Sequence, residues 1–209
     1  MKNIIILAGG RSVKDFPQDV IANGLTSLAY TVGVNDAAIY AKVNVAVSMD
    51  RLWTENRWQQ VKSTGVQFVA RREALKNVPP QPWIFPFECG YDSTAMSKGP
   101  GTFNGTNSGM CAMNYAFSLK PKRVFLLGFD THRPKDGSSP YWYPPYPWAN
   151  PLGATKSGKY RDWLRQHDYV AKQFIRENIK VYTVGRTALN SYTNLPWLDF
   201  LVEVQRDSD

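Results

Sequence analysis

The strongest constraint on the fold is a series of short apolar runs, of which IIILA is the first, several of them stopped by glycine, asparagine, serine or aspartate. Runs this short, rich in Ile and Val and without polar alternation, predict strands buried on both faces, as in a parallel sheet. They fall at residues 3–8, 31–34, 43–47, 66–70, 83–87, 123–129 and 179–184. Residues 52–62, 107–119 and 160–178 carry helical spacing between them. Strands alternating with helices predict an α/β, Rossmann-like domain, its mostly parallel sheet covered on both faces by helices in right-handed crossovers. The tail from Leu195 onward is expected to pack Trp197, Phe200 and Leu201 back on this body.

Ligands of such sheets bind beyond the carboxyl ends of the strands, near the reversal of strand order. The residues that follow the runs are polar: Gly9-Gly10-Arg11-Ser12, Asn35-Asp36, Ser48 with Asp50, and Asp130 with His132. Gly9 and Gly10 allow a backbone to approach a phosphate, and Arg11 and Ser12 add donors. The same four residues also suit a plain strand-to-helix turn. Asn35 offers a carboxamide to a base or ribose edge, or an Asx turn to its own backbone. Asp50 can hold a cation or a ribose hydroxyl, and taken singly it reads first as a helix cap. Asn107, Ser108 and Gly109 open a helix, where unpaired N–H groups and the dipole attract an anion unless side chains cap them.

His132 and His167 are the only histidines, hence the candidates for a general base. Residues 131–158 change in composition, with proline, glycine and aromatics throughout. Such a stretch predicts a long loop with little regular structure, read here as a lid; its Tyr141, Tyr143 and Tyr146 could line an acceptor site or pack the loop itself.

At 209 residues with 43% hydrophobic content, the chain predicts a single domain over 1–209. The N-terminal apolar run is too short for a signal peptide, and no later run approaches a membrane span, so a cytoplasmic protein is expected, in the host cell where a phage encodes it. Cys89 and Cys111 lack zinc-site spacing and read as two thiols, buried or half-buried. No GxSxG, HExxH or cysteine-nucleophile motif is present, which disfavours metal-only hydrolysis, and the LAGGRS turn lacks the GxGxxG spacing and the Walker lysine. The net charge of +8 suits a phosphorylated ligand. Its basic residues are scattered through Arg71-Arg72, Lys120 to Arg123 and Lys156 to Arg165, so nucleic acid is a weaker expectation.

In that order, IIILAGGRS, TVGVNDA, VAVSMD and NSGMCAMNYAFSLKPKRVFLLGFDTH resemble the bacterial lipooligosaccharide sialyltransferases of family 42. They are equally similar to the 6-hydroxymethylpterin diphosphokinase-like proteins, some of them phage-encoded. The likeness covers most of residues 3–132 in outline, and the helix and strand at 168–184 loosely. It implies nucleotide binding by Gly9, Gly10, Ser12, Asn35, Asn107, Ser108 and Gly109, and a role for Asp130 beside the acceptor or a metal. The chain departs from the family turn by Gly9 in place of asparagine and Arg11 in place of proline, and His167 stands a few positions from the family histidine.

The combined expectation is a nucleotide-dependent transferase using a CMP-sugar or an ATP-like donor. His132 or His167 would be its base, and Tyr143 would steady the leaving phosphate. Magnesium and a homo-oligomer are left open. The alternatives are a non-catalytic phage-type binding or assembly protein that keeps the nucleotide-binding fold, and a DNA-modifying protein.

Overall fold

The computed structural model describes residues 3–90, 92, 94–97, 101–148 and 157–206. Lys156 and the rest of 149–156 in the predicted loop lie outside the described residues. The centre of the sheet is β1 (Asn3–Leu7), whose four apolar residues are wholly buried. On one side it pairs with β2 (Tyr30–Val34), followed by β3 (Val45–Ser48), β4 (Gln67–Arg71), β5 (Ile84–Gly90) and β6 (Thr102–Asn104). On the other side lie β7 (Arg123–Leu127), β8 (Lys180–Val184) and β9 (Thr193–Leu195). Every pairing is parallel. Strand order therefore reverses between β1 and β7.

Six α-helices are described: α1 (Leu25–Leu28), α2 (Ala37–Tyr40), α3 (Arg51–Thr64), α4 (Ser108–Ser118), α5 (Ser157–Arg176) and α6 (Trp197–Gln205). They cover both faces. Ile4 and Ile6 share a core with Met110 and Met113 of α4 and Val170 and Phe174 of α5. Ile5 and Leu7 face the opposite core, with Leu25 of α1, Ala37 of α2, Trp53 of α3 and Phe200 of α6. Successive residues of one strand thus feed both cores, which explains why the run is apolar throughout. The connecting helices change face where the strand order reverses, giving a Rossmann-like, doubly wound sheet.

The tail docks as α6. Phe200 is fully buried, and Trp197 stacks on Phe16 with ring centroids 4.7 Å apart. Beneath the sheet, the Arg123 Nε donates to Glu203 at 2.9 Å, and the Asn3 amide donates to the Val204 carbonyl at 2.7 Å. Several short elements, α2 among them, have no counterpart in the sequence reading. β6 and β9 are three residues each, too short for a periodic signal. Between β1 and β2, a π-helical turn (Val20–Gly24) runs into α1 and buries Ile21 and Leu25. The extra residue of a π turn and the interior Gly24 break the 3.6 spacing that would have marked it.

Candidate functional site

The carboxyl ends of the strands open into a cavity of about 530 Å³. Its walls come from the segments that follow β1, β2, β3 and β7, from the last residue of β4, from the start of α4, from the aromatic loop and from α5. Of the residues singled out in the sequence, Gly9, Gly10, Asn35, Asp50, Asn107, Ser108, Gly109, Asp130, His132, Tyr143 and His167 line it. Arg11 and Ser12 do not. The Arg11 guanidinium reaches Asp136 at 2.8 Å and the Ser138 hydroxyl, tying the turn to the loop. Ser12 is buried and gives its backbone N–H to Asp130 at 2.9 Å and its hydroxyl to the other carboxylate oxygen.

The glycine turn is filled by the protein itself. A Cβ on Gly10 would stand 2.3 Å from the Asp130 carboxylate and 2.4 Å from the Gly128 carbonyl. A Cβ on Gly9 would stand 2.4 Å from the Tyr143 hydroxyl. Trp142 completes the cover, donating its backbone N–H to the Gly9 carbonyl at 3.2 Å and its indole N–H to the Ala8 carbonyl at 2.9 Å. Smallness at these positions is therefore accounted for by Asp130, Gly128 and the aromatic loop.

At the end of β2, Asn35 holds φ +53°, a left-handed conformation that asparagine tolerates better than most residues. Its amide oxygen is buried and has no hydrogen-bond partner among the described residues, an arrangement that costs free energy unless something donates to it. Beyond β3, Asp50 caps α3 by accepting the Trp53 N–H at 3.1 Å, and it also borders the cavity. At the start of α4, the Asn107 side chain accepts the Met110 N–H at 2.9 Å. The buried Ser108 hydroxyl accepts the Met49 N–H at 3.1 Å, which fixes the helix start above the end of β3.

Asp130 is 7% exposed, and burial raises its carboxyl above the usual range, while the Ser12 donors, His132 and Arg186 pull the other way. His132 is exposed at the rim. His167 differs sharply: it is buried, its Nδ1 lies 3.0 Å from the Tyr192 hydroxyl, and burial lowers its pKa to about 3. Tyr143 is buried against Tyr40 and Tyr141, with its hydroxyl 3.3 Å from that of Tyr146. Burial raises its phenol well above the ordinary value, so it stays protonated. Residues 131–148 form no helix or strand beyond one bridge, from Tyr141 to Gly10, and Trp148 lies over the Arg57 guanidinium at 5.1 Å.

Sequence reasoning missed Arg51, Arg71, Lys159, Tyr160 and Trp163, all on the cavity wall. Arg51 directly follows Asp50, and Arg71 ends β4, so the rule that gathered the other strand ends would have found both. The α5 residues carry no local signal, because only the return of the chain over the sheet brings them in. Among the described residues, no three or more His, Cys, Asp or Glu side chains gather as a metal site, and no helix is long and apolar enough to cross a membrane. Compared with protein-family models, curated proteins and solved structures, the chain matches none.

Proposed function

We propose that the protein is a nucleotide-dependent transferase, moving a glycosyl or diphosphate group from an activated nucleotide donor to a hydroxyl acceptor. The observation that carries this reading is the cavity at the β1/β7 reversal, where Asn35 with its unpartnered amide oxygen, the start of α4, Asp130 and His132 share one wall system. Crevices at such reversals are where doubly wound sheets bind nucleotides. The resemblance to sialyltransferases and pterin diphosphokinase-like proteins supports the same class.

In this reading His132 is the base. A base works best with a pKa near the working pH, and His167, lowered to about 3 and bonded to Tyr192, is too weak a proton acceptor. His132 takes the acceptor's proton as the acceptor oxygen bonds to the transferred group. The bond from that group to the donor phosphate breaks, and the departing nucleotide keeps the electron pair. Tyr146, at the cavity with its phenol held protonated by burial, is suited to donate a hydrogen bond rather than to accept a proton.

A thermal-shift screen against CMP, UDP, GDP, ADP and their sugars, with and without magnesium, tests binding, since a ligand that binds only the folded form raises the Tm. Turnover of the ligand found should fall roughly 100-fold or more in His132→Gln with binding retained. No shift with any nucleotide sinks the reading. A non-catalytic binding protein is the second reading, favoured because Asn107, Ser108, Asp130 and Tyr143 all bond other protein groups. Binding without turnover across the whole donor panel would decide for it.

A further inference from the structure

The chain's two cysteines, Cys89 and Cys111, are far apart in sequence and meet in the fold. Cys89 lies near the end of β5, opposite Phe103 of β6, and Cys111 lies in the first turn of α4. Asn114 locks β6 to that helix: its side chain accepts the Asn104 N–H at 3.2 Å and donates to the Asn104 carbonyl at 2.6 Å. The chain then turns at Gly105, packed so closely on α4 that a Cβ there would stand 2.9 Å from the Met110 side chain. The Gly105 carbonyl lies 3.7 Å from the Cys89 Sγ. These contacts bring the Cys111 S–H to the Cys89 sulfur, to which it donates, and the Cys111 Sγ also lies 3.8 Å from the Met49 Sδ. The two thiols differ in kind. Cys89 is half-buried and Cys111 is buried. The bond from Cys111 holds the Cys89 thiol below its ordinary pKa, opposed by burial, with Arg71 assisting and Glu73 resisting. The same bond, together with burial, pushes Cys111 up.

We propose that Cys89 and Cys111 form a dithiol oxidised by peroxides, with Cys89 the attacking sulfur, Cys111 the resolving one, and an intramolecular disulfide the product. A cysteine kept for packing is buried and inert, whereas a reachable thiolate beside a second thiol is the arrangement that peroxide chemistry uses. The Cys89 thiolate attacks one peroxide oxygen. The S–O bond forms as the O–O bond breaks, and the departing oxygen keeps the electron pair and takes a proton from solvent. Cys89 is then a neutral sulfenic acid, so the negative charge that opposed ionisation of Cys111 is gone. The Cys111 sulfur attacks the Cys89 sulfur, the S–S bond forms, and the S–O bond breaks. The hydroxide released takes the Cys111 proton and leaves as water. In sum, the two thiols give two electrons and the peroxide is reduced to an alcohol, or to water where it is hydrogen peroxide, plus one water. The product ties the end of β5 to the first turn of α4, whose start borders the cavity. The inference is independent of what the cavity binds.

Peptide mass spectrometry of the reduced full chain, treated with hydrogen peroxide and then alkylated, tests this on wild type without any substitution. Both thiols should disappear together, with one peptide pair linked through Cys89 and Cys111 in monomeric protein, and dithiothreitol should restore them. In Cys111→Ser, dimedone should trap a sulfenic acid on Cys89. In Cys89→Ser, Cys111 should stay reduced at the same peroxide dose while the chain is folded, as melting curves check. Three results overturn the inference: Cys89 driven to the sulfinic acid with Cys111 still a thiol, disulfides formed only between chains, or Met49 converted to the sulfoxide with both thiols intact.

Discussion

The burial of His167 makes a stability prediction that does not depend on the ligand. The ring is 2% exposed, edge-on to Phe129 and Tyr192 at 6.0 and 5.6 Å between centroids, with Nδ1 3.0 Å from the Tyr192 hydroxyl. Removal from water drives its pKa from 6.5 to about 3, against a smaller opposing pull from Asp168. Unfolded chain therefore takes up a proton near pH 6.5 that folded chain refuses until about pH 3. The stability held by the neutral ring is fully present above that upper value and is lost as pH falls through the window. At about 1.4 kcal/mol per unit, acidification from pH 7 to pH 5 costs about 2 kcal/mol from this residue alone, a large share of a typical domain's stability. Asp36 and Asp130, whose carboxyls burial raises, titrate with the opposite sign and are common to both proteins in the comparison. Urea unfolding of wild type and His167→Asn at pH 7, 6 and 5 isolates the effect, because asparagine keeps a polar group near the Nδ1 position but does not titrate. The smaller side chain lowers stability at every pH, so the readout is the slope, which should be shallower by about 2 kcal/mol between pH 7 and pH 5. Equal slopes would refute the buried, neutral imidazole.

The two glycines of the turn should respond differently. Gly10→Ala drives a methyl into the Asp130 carboxylate and the Gly128 backbone and should lose about 3 kcal/mol in urea unfolding, whereas Gly9→Ala meets a tyrosine hydroxyl first and should lift the aromatic loop, seen as altered tryptophan fluorescence at smaller stability cost. Asn35→Gly and Asn35→Ala both remove the amide and should weaken nucleotide binding alike in calorimetry, but only alanine adds left-handed strain of about 1 kcal/mol to the melting data. Glu203→Ala leaves the Arg123 guanidinium, 6% exposed, without its carboxylate and should cost about 3 kcal/mol in chemical denaturation; a loss under 1 kcal/mol would show that the Arg206 carbonyl suffices.

The legible parts of this fold are those where burial dictates residue type. IIIL announces a strand because both of its faces are covered, and Arg123–Leu127 does the same beside it. The edges were illegible because Thr102–Asn104 and Thr193–Leu195 are three residues each, too short to show a period. Of the cavity wall, Asn35, Asn107 and Asp130 could be read from sequence because topology sends strand and helix ends to one place. Arg71 was read as one more scattered surface charge, although it follows an apolar run as directly as Asn35 does. Gly9 and Gly10 mark the limit of such reading, since a glycine records that something approaches closely and not whether that something is a ligand or a tyrosine.

What approaches Gly9 and Gly10 here is the protein itself, through Tyr143, Gly128 and Asp130. In a doubly wound sheet the crevice opens because the chain leaves β1 and β7 towards opposite faces. In this protein the two segments are joined instead: the Ala8 N–H donates to the Leu127 carbonyl at 2.8 Å, the Gly10 N–H to the Gly128 carbonyl at 2.8 Å, and Ser12 to Asp130. Trp142 adds its two bonds from above. Those bonds engage the Gly10 and Ser12 N–H groups and the Ala8 and Gly9 carbonyls, so the turn after β1 is tied both to the segment after β7 and to the aromatic loop. The reversal of strand order makes the cavity, and the protein's own Tyr143, Gly128 and Asp130 fill the space beside its glycine turn.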